Sequence, residues 1–210
     1  MQVHQTYLND VLFALHATEA LDWPDLNRTN FQKILYLCAT LAPLVHIDWE
    51  YNFTNAPYGP FNREIHQAAD VLVHQGYAEL TGLTLQRDSK LRARYRINSS
   101  GSREVDRICR LRRERKRLDW ITLIVKILDI YGPKIITKLA YREPTFSQMR
   151  RQNRGGAIDL SPEDNLSIRL VQTLHDELDS KYTVQLDTLA SKLIAYFDYL
   201  SAAIDRGVQE

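Results

Sequence analysis

The sequence predicts a mainly α-helical protein with a small β wing, an α+β fold in which helices dominate. Three observations support this prediction. Apolar residues recur at helical spacing through most of the chain, strand-type alternation is confined to one short stretch, and proline and glycine separate the segments. We therefore expect a winged-helix-like module over residues 1–100. A helical module over residues 101–210 follows and begins with an arginine-rich linking helix.

The first module contains three predicted helices. Their apolar stripes cover residues 2–21, 30–42 and 60–75. The end of the second helix is marked by Pro43, and Gly76 is placed to cap the third, in which Pro60 suits the first turn. Aromatic residues within 47–53 alternate and predict a short strand between the second and third helices.

The wing is predicted over residues 77–97. Apolar residues alternate with Arg92, Arg94 and Arg96 up to Ile97, which predicts a strand with one apolar face and one arginine face. A polar turn over residues 87–90 precedes this strand. The order of three helices followed by two strands is that of a winged helix.

The second module is predicted to be helical. After a linker at 99–102 we expect a basic helix over 103–117, an apolar helix over 118–131 and a short helix over 134–141. An irregular segment over 144–160 comes next. Two more helices follow: one starts at Ser161-Pro162, and the last has an apolar seam from Leu186 to Ile204. Two alternatives follow for the seam. It packs against the preceding helix, or it forms a homodimer interface through residues 183–206.

The net charge of +1 conceals a strong separation of charge. Residues 87–117 hold 13 basic and 4 acidic side chains, whereas residues 1–86 and 155–210 each have a net charge of −6. The candidate binding residues are Arg92, Arg94 and Arg96 on the wing, Arg103, Arg107, Arg110, Arg113 and Arg117 on one helical stripe, and Arg150, Arg151 and Arg154 in a loop. Arginine matches phosphate geometry, so these residues predict sequence-independent contact with double-stranded DNA. The alternative is that they face a protein partner or the acidic ends of the chain itself.

Other residue patterns give weaker indications of metal binding, base reading or catalysis. His66, Asp70 and His74 have metal-compatible spacing, but no second cluster supplies further ligands. Asn62, Arg63, His66 and Gln67 alternatively reach DNA bases if the third helix is a recognition helix. Arg169 and His175 match a spacing of HEPN-type ribonucleases. The chain has no glycine-rich phosphate loop and no nucleophile elbow. We therefore expect no catalytic residue, metal or cofactor.

The cysteines and the hydropathy suggest where the chain acts. Cys38 and Cys109 lie far apart on apolar-periodic segments, as expected for buried thiols in a reducing cytoplasm. The apolar runs are too short to span a membrane, so we expect a cytoplasmic protein with no membrane partner.

Three motifs together resemble the Panacea/YwgA-like family of small bacterial and phage proteins. They are Phe31-Gln32-Lys33-Ile34-Leu35-Tyr36, Tyr58-Gly59-Pro60-Phe61, and Ile65 with Leu72 and Gly76-Tyr77, and a weaker similarity lies at Ile130-Tyr131 and Glu143-Pro144-Thr145-Phe146. The match covers residues 29–80. Its structural motif residues are Lys33, Tyr36, Tyr58, Gly59, Pro60 and Gly76.

The resemblance implies a winged-helix protein that acts through partners and has no catalytic residue. Members look like antitoxins or proteolytic adaptors, or like the accessory middle component of defence systems that contain an SMC- or ABC-type ATPase and an effector nuclease. We expect a non-enzymatic accessory subunit of a bacterial anti-phage defence complex that binds such an ATPase or effector and nucleic acid. The alternatives are an antitoxin that neutralises a toxin by direct binding and a DNA-binding transcriptional regulator.

Overall fold

The protein is described by a computed structural model. It covers residues 3–23, 25–85, 91–182 and 188–206, with the side chains of residues 83–85, 91–92 and 181–182 left out of the description. The described residues are mainly helical and include small antiparallel sheets, as the sequence predicted. No helix in the described part of the chain is long and apolar enough to cross a membrane.

The elements follow the chain in a simple order. They are α1 (Gln5–Glu19), β1 (Leu26–Asn27), α2 (Arg28–Leu41) with a 3-10 turn (Ala42–Val45), β2 (Thr54–Ala56), β3 (Gly59–Phe61), α3 (Arg63–His74), β4 (Ala78–Leu85), β5 (Leu91–Ile97), α4 (Ser99–Ile108), α5 (Arg112–Tyr131), α6 (Ile136–Arg142), α7 (Pro144–Arg151), β6 (Gly156–Ala157), α8 (Leu166–Tyr182) and α9 (Leu189–Arg206). The three predicted helices of the first module are thus confirmed, with ends shifted by a few residues. Gly76 follows α3 with a φ of +75°, which confirms the predicted glycine cap.

One sheet has the strand order β1-β5-β4, and all its pairs are antiparallel. Along β5, Tyr95 and Ile97 are buried while Arg94 and Arg96 are exposed, so the predicted apolar and arginine faces are confirmed at these positions. The predicted turn over residues 87–90 lies outside the described residues.

The chain divides into two compact units, each built from two segments. The first unit comprises Met1–Cys38 and Asn62–Asp129, and the second comprises Ala39–Phe61 and Ile130–Glu210. The predicted boundary between residues 100 and 101 falls inside the first unit, within α4. In that unit α1 packs against α3, β5 and α4.

The basic helix predicted over residues 103–117 is not continuous. The chain turns at Cys109–Leu111, where Arg110 N bonds Arg107 O and Leu111 N bonds Ile108 O. These tight i→i−3 bonds replace helical ones and separate α4 from α5. Helix α4 also begins earlier than predicted, because the Asn98 side chain accepts hydrogen bonds from the amides of its first turn. The predicted linker at 99–102 is therefore helical.

Four further predictions are wrong in the second unit, and all involve local capping or pairing. Residues 47–53 form no strand, and Pro60 lies in β3 rather than in a helix. Residues 144–151, predicted to be irregular, form α7, because the Glu143 carboxylate caps its first amides. Helix α8 begins at Leu166 instead of after Ser161, since the Asn165 side chain accepts from Ser167 N.

The apolar seam of the last helix is buried within the second unit. Leu193, Phe197, Leu200 and Ile204 are almost inaccessible, and α9 packs against α6 and α8. This agrees with the first of the two predicted alternatives. Leu186, the predicted first residue of the seam, lies outside the described residues. A homodimer through residues 183–206 stays a prediction and would use the opposite face of α9.

Candidate nucleic-acid and partner interface

Residues 103–116, which we name the basic segment, form the end of α4, the turn and the start of α5. The segment holds seven basic and three acidic side chains. Every one of its basic side chains is exposed: Arg103, Arg107, Arg110, Arg112, Arg113, Arg115 and Lys116. The turn also presents Leu111, whose exposed fraction is 66%. An exposed cationic surface around one apolar side chain suits a phosphate backbone or an acidic protein face.

Some of these charges are engaged by other described residues, among them those of Arg113 and Lys116. Arg107 pairs with Glu104 at 2.5 Å across one helical turn. Hydrogen bonds from Arg107 hold the pKa of the Glu104 carboxyl below its usual value. Within the described residues, the side chains of Arg110 and Arg112 have no such partner. Because an exposed pair contributes at most about 1 kcal/mol, the Arg107 pair gives way readily to a phosphate.

Arg117 lies apart from this surface, contrary to the sequence prediction. Its exposed fraction is 2%, and its guanidinium forms a two-pronged ion pair with Asp10 at 2.5 and 2.7 Å. Asp10 is itself fully buried on α1. Helical periodicity put Arg117 on the same stripe as the exposed arginines, but its pairing with the buried Asp10 of α1 holds it in the core. Arg117 is therefore a core residue of the first unit.

Two of the wing arginines, Arg94 and Arg96, are exposed on β5. Arg96 pairs with Asp25 at 2.9 Å. Burial raises the pKa of the Asp25 carboxyl, but hydrogen bonds from Thr81 and Arg96 outweigh it and hold the pKa below its usual value. Arg92 is opposite Thr84 in the β4–β5 ladder, and its side chain is outside the description. The wing thus keeps Arg94 as its more available cation.

The polar residues of α3 are engaged inside the unit. Asn62 caps the helix, and both its backbone groups bond the Gln32 side chain at 2.5 and 2.7 Å. Asp70 accepts two bonds from Arg28, at 2.5 and 2.6 Å, and one from the Tyr95 hydroxyl at 2.7 Å. Among the predicted base-reading residues, the side chains of Arg63 and Gln67 form no such bond with the residues that the structure describes. Among the described residues no group of three or more His, Cys, Asp or Glu is arranged to hold a metal ion.

The family-motif residues take two kinds of position. Lys33 and Tyr36 are buried in α2, and burial lowers the pKa of the Lys33 ammonium to about 8. Gly59 and Pro60 are buried in β3, where a φ of +95° at Gly59 closes the β2–β3 hairpin. Tyr58 is different, because 74% of it is exposed at the tip of that hairpin. Sequence reasoning treated all of these positions as structural and missed the exposure of this tyrosine.

The predicted loop arginines lie at the end of α7 and just beyond it. Arg150, Arg151 and Arg154 are all exposed. The backbone around them is ordered by β6, which pairs with β2, and by a bond of 2.6 Å from Asn55 Nδ2 to Arg154 O. Two of the three arginines thus end α7, and Arg154 lies in the short irregular segment that joins α7 to β6.

Arg169 and His175, whose spacing matches that of HEPN-type ribonucleases, both lie on α8 but contact different groups. Arg169 is exposed, and its guanidinium donates to the carbonyl of Glu163. His175 is half-buried, and its Nδ1 atom has no hydrogen-bond partner among the described residues. This geometry gives the arginine a structural bond with the turn that precedes the helix.

Comparison with known proteins adds no relative. No protein-family model matches the chain, and no curated protein matches its sequence.

Proposed function

We propose that this protein is a non-enzymatic accessory subunit of a bacterial anti-phage defence complex. It joins a protein partner, an SMC- or ABC-type ATPase or an effector, to nucleic acid. The observation that supports nucleic-acid binding is the basic segment, in which all seven cations are exposed. The partner class rests on the resemblance to the Panacea/YwgA-like family.

The charge of the basic segment favours the phosphate backbone as its target. Each phosphate that an arginine neutralises releases condensed counterions, and this term is independent of base sequence. Two of the arginines, Arg110 and Arg112, form no ion pair within the described part of the chain. Binding therefore needs no prior loss of an internal contact at these positions.

The fold of the first unit supports the finer proposal of a winged helix. The helices and strands follow in the order α1, β1, α2, α3, β4, β5, and the sheet order is β1-β5-β4. Wings commonly lie along the DNA backbone, which suits Arg94 on β5. The engagement of Asn62 and Asp70 inside the unit favours backbone contact over base reading by α3.

One observation favours the second candidate, an antitoxin that binds its toxin directly. Leu111 is exposed at the centre of the basic segment. An apolar anchor inside a charged rim is typical of protein interfaces. In this alternative the arginines face acidic residues of the toxin and DNA is not required. A transcriptional regulator is the third candidate, and it requires a large preference for its own promoter over other DNA.

The test is a tagged purification of the full chain, expressed with its neighbouring genes and analysed by mass spectrometry with and without nuclease. The variant Arg107→Glu with Arg110→Glu is compared with wild type. The control is Lys126→Glu with Lys138→Glu, which reverses two exposed charges elsewhere.

The proposal expects an ATPase or effector that stays bound after nuclease treatment in wild type, variant and control, while nucleic acid is lost from the variant alone. A single small toxin that the variant loses would establish the antitoxin instead. Recovery of the protein alone with DNA would favour the regulator.

A further inference from the structure

We propose that the second unit has its own binding surface for single-stranded nucleic acid, formed by the β2–β3 hairpin and the end of α7. This surface uses none of the residues of the basic segment and does not depend on the function proposed above. It combines an exposed aromatic ring with several exposed arginines that form no ion pair with the described residues.

The aromatic component is Tyr58. Its exposed fraction of 74% is the largest among the exposed large apolar side chains described. Gly59, with a φ of +95°, allows the tight turn that lifts Tyr58 to the tip of the hairpin. A ring held in solvent on a fixed turn offers a flat face for stacking.

The hairpin is fixed on both sides. Strand β2 pairs with β3 and with β6. Asn55 Nδ2 donates to Arg154 O at 2.6 Å, and the Tyr141 hydroxyl donates to Pro57 O at 3.3 Å. These bonds tie the turn that carries Tyr58 to both α6 and the segment after α7. The surface is therefore preorganised, which lowers the entropy cost of binding.

The cationic component includes two arginines that lie beside the same hairpin, Arg150 and Arg154. The Arg150 guanidinium lies over the Tyr141 ring, 5.0 Å from its centre, and 5.9 Å from the centre of the Phe146 ring. Burial raises the pKa of the Tyr141 phenol, and the positive charge of Arg150 lowers it in part. The Tyr141 hydroxyl also bonds the carbonyl of Pro57, the residue before Tyr58.

Four arginines are exposed in this region: Arg142, Arg150, Arg151 and Arg154. Within the described residues none of them forms an ion pair. The one carboxylate between residues 142 and 154, Glu143, is fully buried and caps α7. The surface thus presents cations with no acidic side chain from its own segment.

Exposed arginines next to an exposed tyrosine ring fit a single-stranded nucleic acid. Phosphates meet the arginines, and an unstacked base meets the tyrosine ring, as in proteins that bind single strands through stacking and charge. A duplex keeps its bases stacked inside and offers no free face to Tyr58. An acidic peptide would contact the arginines through its carboxylates and would not need to stack on the Tyr58 ring.

The experiment measures fluorescence anisotropy of the full chain with a labelled thymidine oligonucleotide of about 20 nucleotides and with a duplex of the same length. The variants are Tyr58→Ala, Tyr58→Phe and Arg150→Glu with Arg154→Glu. The matched control is Tyr199→Ala, another exposed tyrosine of the same unit. Because Tyr58 and Tyr199 are exposed, these substitutions leave folding intact, which circular dichroism verifies.

Loss of a stacking contact worth about 1–3 kcal/mol weakens single-strand binding about 5- to 150-fold in Tyr58→Ala. We expect Tyr58→Phe and Tyr199→Ala to bind like wild type, the double arginine variant to lose binding, and duplex binding to be unaffected by Tyr58→Ala. Unchanged single-strand affinity in Tyr58→Ala would overturn the inference. So would stronger binding of a polyglutamate peptide that Tyr58→Ala keeps and Arg150→Glu with Arg154→Glu loses. The Arg107→Glu, Arg110→Glu variant separates the two proposals, because it loses duplex binding and keeps the single strand.

Discussion

Arg117 offers the sharpest test of the structure, because the sequence pattern and the fold assign it opposite roles. We predict that Arg117→Met destabilises the protein strongly. The substitution keeps an unbranched apolar stem but removes the charge that faces Asp10, whose carboxylate is fully buried. The buried carboxylate then has lost both bonds from the guanidinium.

The magnitude follows from the cost of an uncompensated buried charge. Removal of one partner of a buried ion pair typically costs about 3–5 kcal/mol. For a chain of this size a change of 1 kcal/mol lowers Tm by about 2–4 °C, so we expect Tm to fall by about 6–20 °C. Replacing both partners, as in Asp10→Leu with Arg117→Met, restores much of the loss because no charge remains buried.

The assay is urea unfolding followed by tryptophan fluorescence, supported by thermal melting. Trp120 lies three residues from Arg117 on α5, and its indole donates to Cys38 O at 3.0 Å, so it reports on this part of the core. The control is Arg110→Met, an exposed arginine for which we expect a change within about 0.5 kcal/mol. Equal stability of the two variants, together with weaker DNA binding in Arg117→Met, would refute the buried position and restore the prediction from helical periodicity.

Three further predictions concern stability. Gly101→Ala places a Cβ against Tyr77 O and lowers the free energy of unfolding by about 1–3 kcal/mol in urea titration, whereas Gly155→Ala, with open space around it, stays within about 0.5 kcal/mol. Burial lowers the pKa of Lys33 to about 8, so above that pH the unfolded chain binds more protons than the folded chain, and the stability of the wild type rises with pH. The difference in free energy of unfolding between Lys33→Met and wild type should therefore shrink by about 1 kcal/mol between pH 7 and 9. A difference that stays constant with pH would contradict this. Glu143→Gln weakens three hydrogen bonds that the carboxylate accepts and lowers Tm by several degrees; an unchanged Tm would contradict its role as the cap of α7.

The elements that the sequence predicts well are those specified locally. The alternation along β5 and the glycine after α3 depend on neighbours in the chain, and both predictions are confirmed. The position of Arg117 depends on Asp10, which is 107 residues away, and no local pattern contains that information. Long-range pairing decided the role of this residue.

The break between α4 and α5 and the β2–β3 hairpin were not predicted from the sequence, for a different reason. Residues 109–111 contain neither proline nor glycine, the usual signals of a turn. Residues 39–61 run from the end of α2 to just before α3 and belong to the second unit, so the units are discontinuous and no composition shift marks them. Tyr58 is exposed because Gly59 closes a hairpin, whereas Pro60 in the sequence favoured a helix start.

The most direct test of the central proposal is the affinity of the full chain for duplex DNA as a function of salt concentration. The account predicts little preference for base sequence and an affinity that falls steeply with salt, with a logarithmic slope that becomes shallower by about 2 in Arg107→Glu with Arg110→Glu. The Lys126→Glu, Lys138→Glu control keeps the wild-type slope. An unchanged slope and affinity in the folded Arg107→Glu, Arg110→Glu variant would contradict the account and leave the basic segment as a surface for a protein partner.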